Sequence, residues 1–151
     1  MSSDLTDLYQ QVIIDHSRHP QNFGRLGDAT RTVEGVNPLC GDQVTLYVKL
    51  LGDRIDDVAF EGAGCAISMA SASLMTTALK GKRRDEALAL FGSVRAMLTE
   101  SHGNELAPAE LGKLSVLSGV SAFPMRVKCA TLVWHALRSA LEEKTEMVSS
   151  E

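Results

Sequence analysis

The strongest constraint on the fold is a run of residues that alternates. From Gln43 to Leu51 (QVTLYVKLL), Val44, Leu46 and Val48 fall on one side of an extended chain and Thr45, Tyr47 and Lys49 on the other. That period of two is the pattern of a strand. Gly52-Asp53-Arg54 reads as a hairpin loop. Ile55 to Glu61 (IDDVAFE) reads as the returning strand, with Ile55, Val58 and Phe60 as its apolar contacts.

Around this hairpin the periodicity is helical. Residues 4–18 (DLTDLYQQVIIDHSR) place Leu5, Leu8, Val12, Ile13 and Ile14 at helical spacing, with Asp4 as N-cap. His19-Pro20-Gln21-Asn22-Phe23-Gly24 breaks that helix, and residues 25–36 read as extended or loop-like. The small-residue bend Gly62-Ala63-Gly64 leads into a helix expected over 65–80. A second amphipathic helix is expected over 85–99, with an interruption near Gly92, and a short one over 108–115 opening at Pro108. The last helix opens at Pro124 and runs to about 143 on the stripe Val127, Ala130, Val133, Trp134, Leu137 and Leu141. Residues 144–151 read as a frayed tail, and the whole of 1–151 as one domain.

Fifteen Lys and Arg stand against nineteen Asp and Glu, a net charge of −4. That balance argues against a nucleic-acid binder, because phosphate contacts need a basic surface. The first residues show no basic-then-apolar leader pattern, and no apolar run approaches the ~20 residues of a membrane-spanning helix. The expected compartment is the cytoplasm, with no membrane partner. There thiols stay reduced, so the three cysteines read as free thiols, metal ligands or nucleophiles rather than a disulfide framework.

Cys40, Cys65 and Cys129 are too far apart in sequence for a CxxC knuckle, but each sits at an element boundary. Cys40 lies in the turn before the first strand, Cys65 starts a helix, and Cys129 is in the second turn of the helix opened by Pro124. A helix N-terminus favours thiolate, the form that binds metals and attacks sulfur electrophiles. Gly41 and Gly64 remove bulk beside two of the thiols, and Asp42 adds a carboxylate within reach of Cys40. Three thiolates and one carboxylate would complete a tetrahedral zinc site. Three cysteines that merely fill space are the competing reading of the same residues.

The same residues carry a family resemblance. Tyr9 to His16 (YQQVIIDH), Pro20 to Gly24 (PQNFG), Asn37 to Asp42 (NPLCGD), Phe60 to Ser68 (FEGAGCAIS), Ser71 to Ser73 and Phe123 to Ala130 (FPMRVKCA) with Trp134 occur in order along the chain. Together they resemble the IscU/NifU-like scaffold superfamily, and within it the SufU-type branch. The resemblance implies an α+β fold: a small antiparallel sheet packed on one side by helices, with the cysteines converging at one exposed end. By motif match Cys40, Asp42, Cys65 and Cys129 would hold zinc. Cys40 would also accept persulfide sulfur from a SufS-type cysteine desulfurase that carries the pyridoxal phosphate, and pass it to downstream Suf-type cluster assembly proteins.

Two departures select the branch. IscU-type scaffolds have a histidine before the third cysteine, where this chain has Lys128, and the segment Ser121 to Arg126 lacks their chaperone-docking stretch. The implied role is therefore zinc-dependent sulfur transfer. The alternatives are a scaffold for a transient [2Fe–2S] cluster on the same residues, and a zinc-stabilised adaptor that activates the desulfurase by binding. Arg126 and Lys128 flank Cys129 and are candidates for partner contact or for tuning the thiol, against the plainer reading of solvated helix charges.

Overall fold

A computed structural model describes residues 2–38, 41–99, 109–142 and 148–149, and in it the alternating run forms the centre of a sheet. Strand β1 (Arg31–Asn37) and strand β2 (Asp42–Leu51) pair antiparallel, and β2 pairs antiparallel with β3 (Arg54–Ala63). The turn Gly52-Asp53 joins β2 to β3, and Gly52 adopts φ +61°, a region that glycine enters freely. Val33, Val44, Leu46, Val48, Val58 and Phe60 are all fully or nearly buried, which defines the inner face.

Helices bury that face. Helix α1 (Ser2–Arg18) packs on α2 (Ala66–Leu79), and α2 lies against β3. Helix α3 (Arg84–Thr99) packs on a 3₁₀ segment, Ala109–Ala122, and on α4 (Pro124–Leu141), which crosses β1 and β2. Trp134 sits at the centre of the core with no exposed surface. Its ring stacks parallel to Phe91 at 6.4 Å, and its Nε1–H donates to Ser71 Oγ at 3.1 Å. Ser71 in turn donates to the Ala130 carbonyl at 2.6 Å, so one buried hydroxyl ties α2 to α4. Among the described residues no helix is long and apolar enough to cross a membrane.

The α+β class, the hairpin and the helices stand where the sequence puts them, with five differences of detail. Helix α1 begins at Ser2, so Asp4 lies inside it rather than at its N-cap. Residues 31–36, part of the stretch read as extended or loop, together with Asn37 form the third antiparallel strand. Helix α3 runs unbroken through Gly92. The region expected to hold a short helix over 108–115 is instead a longer 3₁₀ segment kinked at Gly112, where φ is +52°; Pro108 lies outside the described residues. Finally, the tail is not frayed throughout. Val148–Ser149 forms β4, which adds in parallel to Gly35 and Val36 of β1 and gives the order β3-β2-β1-β4.

Candidate metal centre

The alternation that builds the sheet also aims the first ligand. Asp42 shares parity with Val44, Leu46 and Val48, so its carboxylate faces inward at the end of an apolar row, and only 1% of the residue is exposed. A carboxylate buried to that degree is costly unless it is paired or binds a metal. One oxygen is accounted for: Asp42 Oδ1 accepts the backbone N–H of Cys65 at 2.9 Å. The other, Oδ2, lies 4.0 Å from Cys65 Sγ.

Cys65 is the N-cap of α2. Its extended backbone (φ −71°, ψ 167°) turns the chain into the helix, and its sulfur accepts the Ser68 N–H at 3.4 Å, the bond an N-cap serine oxygen would take. The residue is exposed. Cys129 arrives from α4, whose start is fixed by Pro124 at the first helical position. It is buried, 3% exposed. The side-chain amide of Asn37, the register partner of Asp42 at the end of β1, donates to Cys129 Sγ at 3.6 Å.

The three ligand atoms of Asp42, Cys65 and Cys129 all lie within 4.8 Å of one another. A tetrahedral zinc with its usual bond lengths sets its ligand atoms about 3.5–3.8 Å apart. Contraction by a fraction of an ångström to about one ångström would close these residues on the ion. The donor set is also right for zinc, which takes thiolate and carboxylate together. A fourth ligand would come from elsewhere. Cys40 lies outside the described residues. Gly41 lies within the described residues: its N–H donates to the Asn37 carbonyl at 2.8 Å and its φ of +75° suits glycine.

A cleft of about 460 Å³ opens beside the two thiols, lined by Cys65, Ala66, Ile67, Met125, Arg126 and Cys129. Arg126 thus lines the cleft, with its guanidinium 5.1 Å from the centroid of the exposed Phe123 ring. Lys128 is half-buried and does not line the cleft. His16 stands away from the thiols, with Nδ1 2.7 Å from Ser73 Oγ between α1 and α2.

Two contributors escape sequence reasoning as site residues. Asn37 reads there as structural, because its amide meets Cys129 only through a contact across 92 positions. Gly64 reads as an absence of bulk, but the reason for it is specific: a Cβ there would lie 2.5 Å from Asp42 Oδ1.

The NifU-like N-terminal domain family model matches residues 8–142. The chain is 45% identical over 140 residues to the iron-sulfur cluster assembly scaffold protein IscU of Streptococcus pyogenes serotype M1, covering 93% of this chain and 86% of the relative. It is 45% identical over 143 residues to the zinc-dependent sulfurtransferase SufU of Bacillus subtilis strain 168, covering 95% of each. The crystal structure of FiSufU from Fervidobacterium islandicum AW-1 superposes with a TM-score of 0.80 at 40% identity, over 87% of this chain and 94% of that one.

Proposed function

The chain belongs to the NifU-like N-terminal domain family, and from that premise we propose that it accepts sulfur from a SufS-type cysteine desulfurase for iron–sulfur cluster assembly. Cys40 is the accepting residue in this reading, and Cys40, Asp42, Cys65 and Cys129 form the zinc site. Bound zinc would hold the thiols deprotonated and fix their positions. The observation that carries the proposal is the convergence of Asp42, Cys65 and Cys129 within 4.8 Å, two residues downstream of Cys40 in the case of Asp42. The full-length similarity to a relative named as a zinc-dependent sulfurtransferase supports the same choice.

The chemistry is thiol exchange. The Cys40 thiolate attacks the outer sulfur of the partner's cysteine persulfide, the partner's S–S bond breaks, and its cysteine leaves as thiolate. Cys40 then carries the persulfide, with no net oxidation or reduction. The step needs an unprotonated attacker and access to it. The exposed cleft beside Cys65 and Cys129, with Arg126 on its wall, is where a partner's loop would enter. Sulfur then passes to downstream Suf-type assembly proteins in a cytoplasmic setting.

Incubation with a SufS-type desulfurase and free cysteine, followed by intact-protein mass spectrometry, tests this. The wild type is expected to gain one sulfur, and Cys40→Ala to fold normally and gain none. Sulfur retained on Cys40→Ala would refute the assignment. A second reading, a scaffold for a transient [2Fe–2S] cluster, is favoured by the relative named as IscU and by a ligand set of cysteines with one aspartate. It predicts visible absorption on anaerobic addition of iron and sulfide.

A further inference from the structure

The two described thiols are held differently, and the difference centres on Asn37. Cys65 is exposed and takes a backbone N–H from its own helix. Cys129 is buried, and a side chain from a different element reaches it: Asn37 Nδ2 stands 3.6 Å from Cys129 Sγ. Asn37 has no exposed surface. Its position is fixed on three counts. Its Cα is paired with that of Asp42 in the β1–β2 register, its carbonyl accepts the Gly41 N–H at 2.8 Å, and its amide meets the sulfur. One residue thus touches or flanks the segments that carry Cys40, Asp42 and Cys129.

A metal-bound sulfur has lone pairs and no proton, so it can only accept. The Asn37 carboxamide must therefore turn its N–H toward it rather than its oxygen. We infer that Asn37 is a positioning residue whose side-chain amide hydrogen-bonds the metal-bound Cys129 sulfur and makes Cys129 the anchoring ligand, the one that stays on the metal when sulfur chemistry proceeds at Cys40. This rests on the metal-centre reading above and adds a functional asymmetry to it. Groups of this kind behind the ligands typically hold metal affinity up by about 10–100-fold.

Loading the protein with a spin-active cadmium isotope in place of zinc gives a direct readout. The expected result is a scalar coupling from the Asn37 side-chain amide proton to cadmium, transmitted through the N–H···S bond, with that proton protected from exchange with water. A merely structural asparagine would show no such coupling. The variants Asn37→Leu (neutral, similar size, no N–H) and Asn37→Asp (same shape, no N–H and no donor when ionised) are both expected to release zinc to a chelator about 10-fold faster or more. In both, the thiolate-to-metal charge-transfer band of the cobalt-loaded protein is expected to move to longer wavelength. One bound cadmium with no coupling would overturn this inference alone. A folded protein that takes up no cadmium, cobalt or zinc would overturn the metal centre and this inference together. If either variant does not fold, the wild-type coupling still decides.

Discussion

At the scale of single residues, the most exacting position at the site belongs to a residue with no side chain. A Cβ on Gly64 would lie 2.5 Å from Asp42 Oδ1 and 3.0 Å from Asp42 Cγ. The carboxylate has nowhere to retreat, because the next residue's N–H holds that same oxygen at 2.9 Å and the side chain is buried. Gly64→Ala is therefore expected to dislodge Asp42 and to lower zinc affinity by about 10–100-fold, the usual effect of disturbing what orients a ligand. Global stability should change much less, since Gly64 lies between β3 and α2 and is itself exposed. A competition titration against a chromophoric chelator measures the first effect and urea unfolding the second. Unchanged zinc affinity would remove Asp42 from the ligand set. Of the candidate site, Cys65 and Cys129 are legible from their places at element boundaries, and Asp42 from its spacing to Cys40. The amide of Asn37 is not, because a side chain that acts across the fold leaves no local pattern.

At the scale of elements, the metal centre depends on how α2 and α4 are held together, for each brings one thiol. The clamp is Ser71, which donates to the carbonyl of Ala130, the neighbour of Cys129, and accepts from Trp134. Ser71→Ala would leave the indole N–H of a fully buried tryptophan without its acceptor, at a cost of about 1–3 kcal/mol. The expected signature is a lower urea midpoint with an unchanged slope. A variant as stable as the wild type would show that α2 and α4 are positioned by packing alone. The elements themselves were unequally legible. The hairpin and α4 carry strong period-two and period-3.6 signals, and both formed. Strand β1 was hidden because its inward positions are Val33, Gly35 and Asn37, of which only one is a large apolar residue. The 3₁₀ segment had a signal that helix templates miss: Leu111, Leu114, Leu117 and Val120 are buried at a spacing of three, the repeat at which 3₁₀ side chains eclipse. Strand β4 is two residues long and exists only by pairing with β1, so nothing local marks it.

At the scale of the whole molecule, two histidines sit at seams between elements and couple the fold to pH. His16 lies where α1 meets α2 and the 3₁₀ segment; burial first, and then the Lys113 charge, hold its pKa below the ordinary 6.5, with Asp15 opposing. His135 meets the edge of the Phe91 ring between α3 and α4; burial, then Arg95 and Arg138, lower its pKa in the same way. Both are bases with a folded pKa below the unfolded one. Below about pH 6.5 the unfolded chain therefore binds more protons than the folded chain, and the linkage relation makes stability fall as pH falls. Their contribution is fully present above the unfolded pKa and is lost as pH drops toward the folded values. The thermal midpoint of the zinc-loaded protein is thus expected to decline between about pH 7.5 and pH 5.5, the range in which histidine changes charge. Metal ligands also gain protons on acidification, so the decline alone does not identify the histidines. His16→Gln with His135→Gln keeps polar side chains at both seams and leaves the ligands untouched. That double variant should start lower or equal at neutral pH and show a shallower decline, and the difference between the two curves isolates the histidines. Parallel curves would mean that neither histidine titrates differently in the folded chain, and acid sensitivity would then belong to the metal centre alone.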